Sequence, residues 1–172
     1  MSRSLINSLI TWRGLRLLLP ASVLLYLLLK RSNPLKKMIT ENSNGHRLQL
    51  ALIKAGFSLQ MAKLITAQAA HETGNFSSML FTDYNNPFGM KQPYKRKTTS
   101  QGPQYGYATY PDIETAAKDF MLYWKDRKNK TNFKAVPEYV AELKKDYYFE
   151  DSLVNYEKGV SHFYNLFYES KG

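Results

Sequence analysis

The sequence predicts an α+β, mainly helical chain: a helical lobe, a small β-hairpin insert and more helix, with a cleft between two lobes. Three observations carry this reading. Segments with apolar residues at helical spacing dominate residues 46–168, whereas residues 82–110 are rich in Asn, Gly, Pro, Thr and Tyr. Ahead of both, Leu17–Leu29 runs thirteen residues without a charge and predicts an apolar anchor helix. Of the 172 residues 44% are hydrophobic, with 13 Tyr and 9 Phe, enough for a packed core and incompatible with a disordered chain.

The anchor comes first in the chain. Spanning a bilayer takes roughly 20 apolar residues, a length reached if Arg16 snorkels or if Leu5–Trp12 joins the run, so that residues 5–29 meet the membrane. No small-x-small cleavage pattern follows it; Lys30-Arg31-Ser32-Asn33-Pro34 comes instead, which favours an uncleaved anchor or signal over residues 1–30 rather than a cleaved one. A segment lying on the membrane surface is the third option. Basic residues flank both ends, so charge does not set the orientation. Residues 31–45, with Asn33-Pro34 and Asn42-Ser43-Asn44-Gly45, read as a linker, and residues 46–172 as the folded domain.

The net charge of +10 must be divided along this boundary. Arg3, Arg13, Arg16, Lys30, Arg31, Lys36 and Lys37 all precede residue 40, where no acid occurs, so the globular part is only modestly cationic. That argues against a nucleic-acid partner and suits an anionic polymer such as a cell wall. The absence of cysteine excludes disulfides, Cys-ligated zinc and thiolate nucleophiles, and with them the cysteine peptidases.

Within the domain, His46–Ala55 is a short apolar-rich helical turn closed by Gly56. Ser58 is a good N-cap for Leu59–Thr73, which Gly74 terminates. Two Thr/Tyr-rich runs around Gln101-Gly102-Pro103 suggest the hairpin, with Ser100, Gln101 and Gln104 at its tip. Pro111-Asp112 opens the clearest amphipathic helix, with Ile113, Ala116, Ala117, Phe120, Met121 and Trp124 on one face. Pro137 starts Glu138–Lys144. Asp151 or Ser152 caps a last helix whose apolar side is Leu153, Tyr156, Val160, Phe163 and Phe167.

The chemistry concentrates in Ala67-Gln68-Ala69-Ala70-His71-Glu72-Thr73-Gly74. Helical steps back from Glu72 meet Ala69, Gln68 and Ile65, and the residue falls in the last turn, at the negative end of the helix dipole. Desolvation and that dipole both raise a carboxyl pKa, the condition for a general acid near neutral pH; local pattern alone also accommodates a solvated helix-end carboxylate. His71-Glu72 does not begin a zinc motif, because Asn75 occupies the place of the second His. No metal or organic cofactor is expected.

This stretch, followed by Asn85-Asn86-Pro87-Phe88-Gly89-Met90-Lys91 and by Tyr107-Ala108-Thr109-Tyr110 ahead of a helix, resembles the glucosaminidase family of bacterial autolysins and flagellar peptidoglycan hydrolases. The resemblance implies a lysozyme-like fold and a glycosidase of the endo-β-N-acetylglucosaminidase type, hydrolysing β-1,4 bonds of peptidoglycan glycan strands with Glu72 as the general acid. Asn86, Phe88, Gly89 and Lys91 match the second motif, as a turn below the cleft or as sugar contacts. Tyr107 and Tyr110 line the glycan groove or belong to the core. A cleft tyrosine is expected among Tyr147, Tyr148 and Tyr156, with Tyr148 the choice.

The sequence departs from the family in one respect. Members often carry a second carboxylate in the hairpin, yet Gln92 to Pro111 contains no Asp or Glu, and an amide, Gln101 or Gln104, stands in place of the acid at the tip. Asp83 is then the second catalytic candidate. The alternatives are a lytic transglycosylase using Glu72 alone and an inactive glycan-binding protein. The expected location is a membrane anchor with the domain facing the wall, in a cell envelope or in the membrane of a phage virion.

Overall fold

The computed structural model describes residues 43–127 and 132–169; the predicted anchor and most of the linker lie outside the described residues. The elements are α1 (Ser43–Ala55), α2 (Leu59–Glu72), α3 (Met79–Thr82), β1 (Gly102–Gln104), β2 (Tyr107–Thr109), α4 (Ile113–Asp126), α5 (Val136–Lys145) and α6 (Leu153–Tyr164), which continues as a π-helical turn over Asn165–Glu169. The mainly helical α+β expectation holds. Among the described residues no helix is long and apolar enough to cross a membrane.

Helix α2 is the centre of the domain, packed between α1 and α6. Met61, Ala62 and the unbroken run Leu64–Ala70 are all buried, an all-round burial that a helix tolerates only when covered on every side. Its alanines let the neighbouring helices approach closely. The Ser58 hydroxyl accepts from Met61 N at 3.3 Å, as its N-cap role requires. Helix α4 buries the predicted face against α1, and an aromatic layer continues from it: Phe88 stacks on Phe120 with centroids 4.2 Å apart, and Trp124 on Tyr139 at 5.7 Å. Asp112 caps α4, accepting from Thr115 N at 2.7 Å.

Three elements differ from expectation. Helix α1 begins at Ser43, inside the stretch read as linker, because Asn44-Gly45 continues into the helix that buries Leu48, Ala51 and Leu52. The hairpin turn is Tyr105-Gly106, not Gln101-Gly102-Pro103; the register pairs Gly102 with Thr109 and Gln104 with Tyr107. Both turn residues have positive φ (48° and 82°), the two-residue geometry that matches strand twist, and glycine satisfies it at the second position. On α6 only Tyr156 and Val160 are buried, while Leu153 is exposed and Phe163 and Phe167 are half-covered.

The long connection between α3 and α4 is held by one buried carboxylate. Asp119, on α4 and fully buried, accepts from Arg96 Nη1 at 3.0 Å and Nη2 at 2.8 Å, from Thr99 N at 2.9 Å and from the Tyr110 hydroxyl at 2.8 Å. Burial alone pushes such a carboxyl up; the hydrogen bonds from Arg96, Thr98, Thr99 and Tyr110 outweigh it and hold Asp119 below its usual value. Because its folded-state pKa is depressed, the stabilisation is complete above the ordinary value of 3.8 and is lost as pH falls through the folded value. Replacing Asp119 with Ala strands the Arg96 guanidinium and is expected to cost about 3 kcal/mol in urea unfolding at pH 7. That deficit shrinks as the pH is taken below 3.8 and the wild-type carboxylate protonates.

Candidate active site

Glu72 is the last residue of α2, and the turn beyond it is tightly fixed. Thr73 is buried; its hydroxyl donates to Ala69 O at 2.6 Å and accepts from Phe76 N at 3.0 Å. Gly74, Asn75 and Phe76 then take three consecutive left-handed conformations, φ 55°, 59° and 64°. Two of the three are not glycine, so this turn stores strain that the buried ring of Phe76, 5.2 Å from that of Phe81, helps to hold. A Glu-Thr-Gly sequence thus gives a helix end that stops sharply and aims Glu72 in one direction.

The carboxyl of Glu72 is shielded by α6. Burial raises its pKa, and a hydrogen bond from the Tyr156 hydroxyl to Oε1 opposes part of that rise. Tyr156 is itself buried, stacked face to face on Phe149 with centroids 3.7 Å apart, and His71 meets its ring edge-on at 5.0 Å. This approach depends on Gly159 in the middle of α6. A Cβ there would collide with the His71 ring, so a glycine that costs a helix about 1 kcal/mol permits the contact between α2 and α6.

A cleft of about 780 Å³ opens on Glu72. Three stretches line it with the carboxyl: Phe88–Arg96, the end of α4 through Tyr123, Asp126 and Arg127, and the connection between α5 and α6 through Asp146, Tyr147, Tyr148 and Glu150. Gly89, at φ 61°, places its backbone beside the acid; a Cβ there would stand 3.9 Å from Glu72 Oε2. Tyr148 donates to Phe88 O at 2.6 Å, tying two of the stretches together. Tyr123 lies between the guanidinium groups of Arg96 and Arg127, 5.8 and 5.6 Å from its ring, and burial followed by the Asp146 charge pushes its phenol up to about 12. Tyr94 and Tyr147 project rings that are 83% and 91% exposed, Tyr147 from a left-handed backbone with φ 54°.

Of the residues nominated from sequence, Glu72, Phe88, Lys91 and Tyr148 line this cleft. Phe88 does so mainly through its backbone, since its ring is buried against Phe120. Five lie elsewhere. Asn86 is fully buried, donating to Met90 O and Ala108 O at 2.8 and 2.9 Å and accepting from Met90 N, so it fastens the turn to β2 rather than contacting the cleft. Tyr110 is in the core with its hydroxyl on Asp119. Gln101 is exposed beside β1, and Tyr107 is half-buried in β2. Asp83 is exposed at the end of α3, where it accepts from Thr82 Oγ1 at 2.7 Å, outside the cleft lining.

Sequence reasoning left out Asp126, Asp146 and Glu150, the acids that do line the cleft, and ranked Tyr156 below Tyr148. No local pattern marks the three acids. A buried Asp119 was detectable as the one charge beside Phe120 on an otherwise apolar helix face. Among the described residues no group of three or more His, Asp or Glu is placed to hold a metal ion.

Residues 55–168 match the Glucosaminidase family, described as mannosyl-glycoprotein endo-beta-N-acetylglucosaminidase. The chain belongs to this family. It is therefore a glycoside hydrolase acting on peptidoglycan. The matched span runs from the last residue of α1 into the π-helical turn and so contains the whole cleft. No curated protein and no solved structure matches the chain.

The contacts of Tyr156 and Gly159 lead to two expected outcomes. Tyr156→Phe removes a hydrogen bond that favours the charged carboxylate, so the titration of the Glu72 carboxyl, followed by NMR, moves to higher pH. Gly159→Ala places a Cβ against the His71 ring, so the ring or α6 must shift. Thermal unfolding should show a loss of about 1–3 kcal/mol.

Proposed function

We propose that Glu72 is the general acid of this glycosidase, protonating the glycosidic oxygen as the leaving sugar departs, in an endo-β-N-acetylglucosaminidase reaction on the glycan strand. The observation that supports this reading is a single carboxyl, raised in pKa by burial, at the end of a rigid helix and open to the cleft. A carboxyl whose affinity for a proton is raised is what the leaving oxygen requires, and general acids contribute roughly 10²–10⁴-fold to rate. The lysozyme-like reading of the fold belongs to the same proposal: a helix-borne acid beside a small hairpin, with a groove along both.

The second carboxylate is proposed from the cleft rather than from Asp83. Asp146 lines it, and its Oδ2 is shielded from solvent without a hydrogen-bond partner among the described residues. An unengaged carboxylate oxygen suits holding the attacking water or facing an oxocarbenium-like transition state. This favours hydrolysis over the ring-closing lyase reaction, which needs no second acid. The exposed rings of Tyr94 and Tyr147 supply flat apolar faces for sugars.

Residues 5–29 are proposed as the membrane tether, keeping the domain against the wall of a cell envelope or within the membrane of a phage virion. Fractionation of the full chain against one lacking residues 1–30 tests the tether.

The chemistry is tested by incubating the full chain, with and without Glu72→Gln, on purified peptidoglycan. Products are then analysed by mass and reducing-end identity. The expected result is a reducing N-acetylglucosamine end and a loss of roughly 10²–10⁴-fold in rate for the variant. A reducing N-acetylmuramic acid end would reassign the bond, and anhydromuramyl products would reassign the reaction to a lytic transglycosylase.

A further inference from the structure

Beside its acids, Glu72, Asp126, Asp146 and Glu150, the cleft is lined by two lysines that neither the acid chemistry nor the fold uses. From Tyr84 to Pro111 the chain has four basic residues, Lys91, Lys95, Arg96 and Lys97, and no acid. Arg96 is committed: both its terminal nitrogens are on buried Asp119, and this pins the segment that bears the other three. Lys91 and Lys95 are different. Both line the cleft, both are exposed, and among the described residues neither makes an ion pair.

Their charge is not directed at Glu72. Among the described residues neither lysine pairs with that carboxyl, whose upward shift comes from burial against the opposing Tyr156 hydrogen bond. Nor is their charge directed at the sugar backbone of a stem-bearing strand, where N-acetylglucosamine is neutral and the lactyl carboxyl of N-acetylmuramic acid is tied up in the amide bond to the stem. The carboxylates of peptidoglycan are carried by the peptide stems that branch from the strand at each lactyl ether. A strand lying over Glu72 brings those stems into the same cleft.

We infer that Lys91 and Lys95 form a binding site for the carboxylates of the peptide stem, making peptide-bearing peptidoglycan, rather than bare N-acetylated glycan, the preferred substrate. The inference rests on the proposal that the strand binds along the cleft at Glu72. The site is exposed, so each contact contributes modestly and is screened by salt, and selectivity arises from both lysines together. The attachment through Arg96 fixes the backbone that bears both lysines, so binding has to order only their side chains.

The test uses the full chain and the Lys91→Gln/Lys95→Gln variant on two forms of one peptidoglycan preparation: native, and with its stem carboxylates chemically converted to amides. On native material the variant should show a KM raised roughly fivefold with kcat little changed. Wild type should show the same rise on the amidated material, and the variant should be insensitive to amidation. Added salt should raise KM for wild type on native material more than for the variant. Equal KM for wild type on both materials, or additive effects of amidation and substitution, overturns the inference. A deficit seen only when phosphate-rich wall polymers are left attached assigns the lysines to those polymers instead and also overturns it. Retention of cleavage by Glu72→Gln is a separate result, and it undoes the reading of the cleft rather than that of the lysines.

Discussion

Asp119 is a carboxylate with no access to solvent, and nearly everything between α3 and α4 is arranged around keeping it satisfied. Its two oxygens collect a bidentate guanidinium, a backbone amide and a phenol, from Arg96, Thr99 and Tyr110. A buried charge left unpaired costs several kcal/mol, so these donors are held as a set rather than one by one. The consequence is that a long segment with little regular structure has one position. Asp119 ties Arg96, Thr99 and Tyr110 to α4, while Asn86 separately fastens its turn to β2.

The acid at the end of α2 depends on a second device, of opposite character. There the surroundings leave a carboxyl under-solvated instead of fully satisfied, and its affinity for a proton rises. Thr73 and the three left-handed residues after it stop the helix; Gly159 lets α6 come close enough for Tyr156 to reach the carboxyl. Strain after the helix and a glycine inside another both cost stability, and both act to place Glu72. The two carboxyls illustrate how burial alone does not set a pKa: the number of hydrogen bonds to the charged form decides its direction.

Charge in the cleft follows from the same division. Arg96 is neutralised by Asp119, while Lys91 and Lys95 line the cleft without an ion pair among the described residues. A neutral sugar strand needs flat rings and hydrogen bonds; a strand decorated with carboxylates adds a use for fixed cations. Peptidoglycan differs from other N-acetylated glycans in that decoration, so selectivity for it can be built beside the acid without altering the acid itself.

The sequence by itself determined the helix boundaries that caps encode, at Ser58, Gly74 and Asp112 and, to within one residue, at Ser152, because a cap is a local hydrogen bond between near neighbours. It determined the buried face of α4, the existence of a hairpin and the residue that ends α2 in the cleft. The family motifs were legible for the same reason: Glu72-Thr73-Gly74 and Asn85-Asn86-Pro87-Phe88-Gly89 are contiguous and encode turns. It misplaced the hairpin turn, where Tyr105 adopts a positive φ with no Asn or Asp to announce it. It left Asn86 and Tyr110 open between the groove and the interior, and the structure places them inside the domain, where their polar atoms satisfy Met90, Ala108 and Asp119. What only the tertiary structure decided was which distant residues meet Glu72. Tyr156 lies 84 positions away, and Asp146 and Glu150 come from the α5–α6 connection. Proximity across a cleft is set by how helices pack, and packing follows from the shapes of side chains on several elements at once, which no local run of residues encodes.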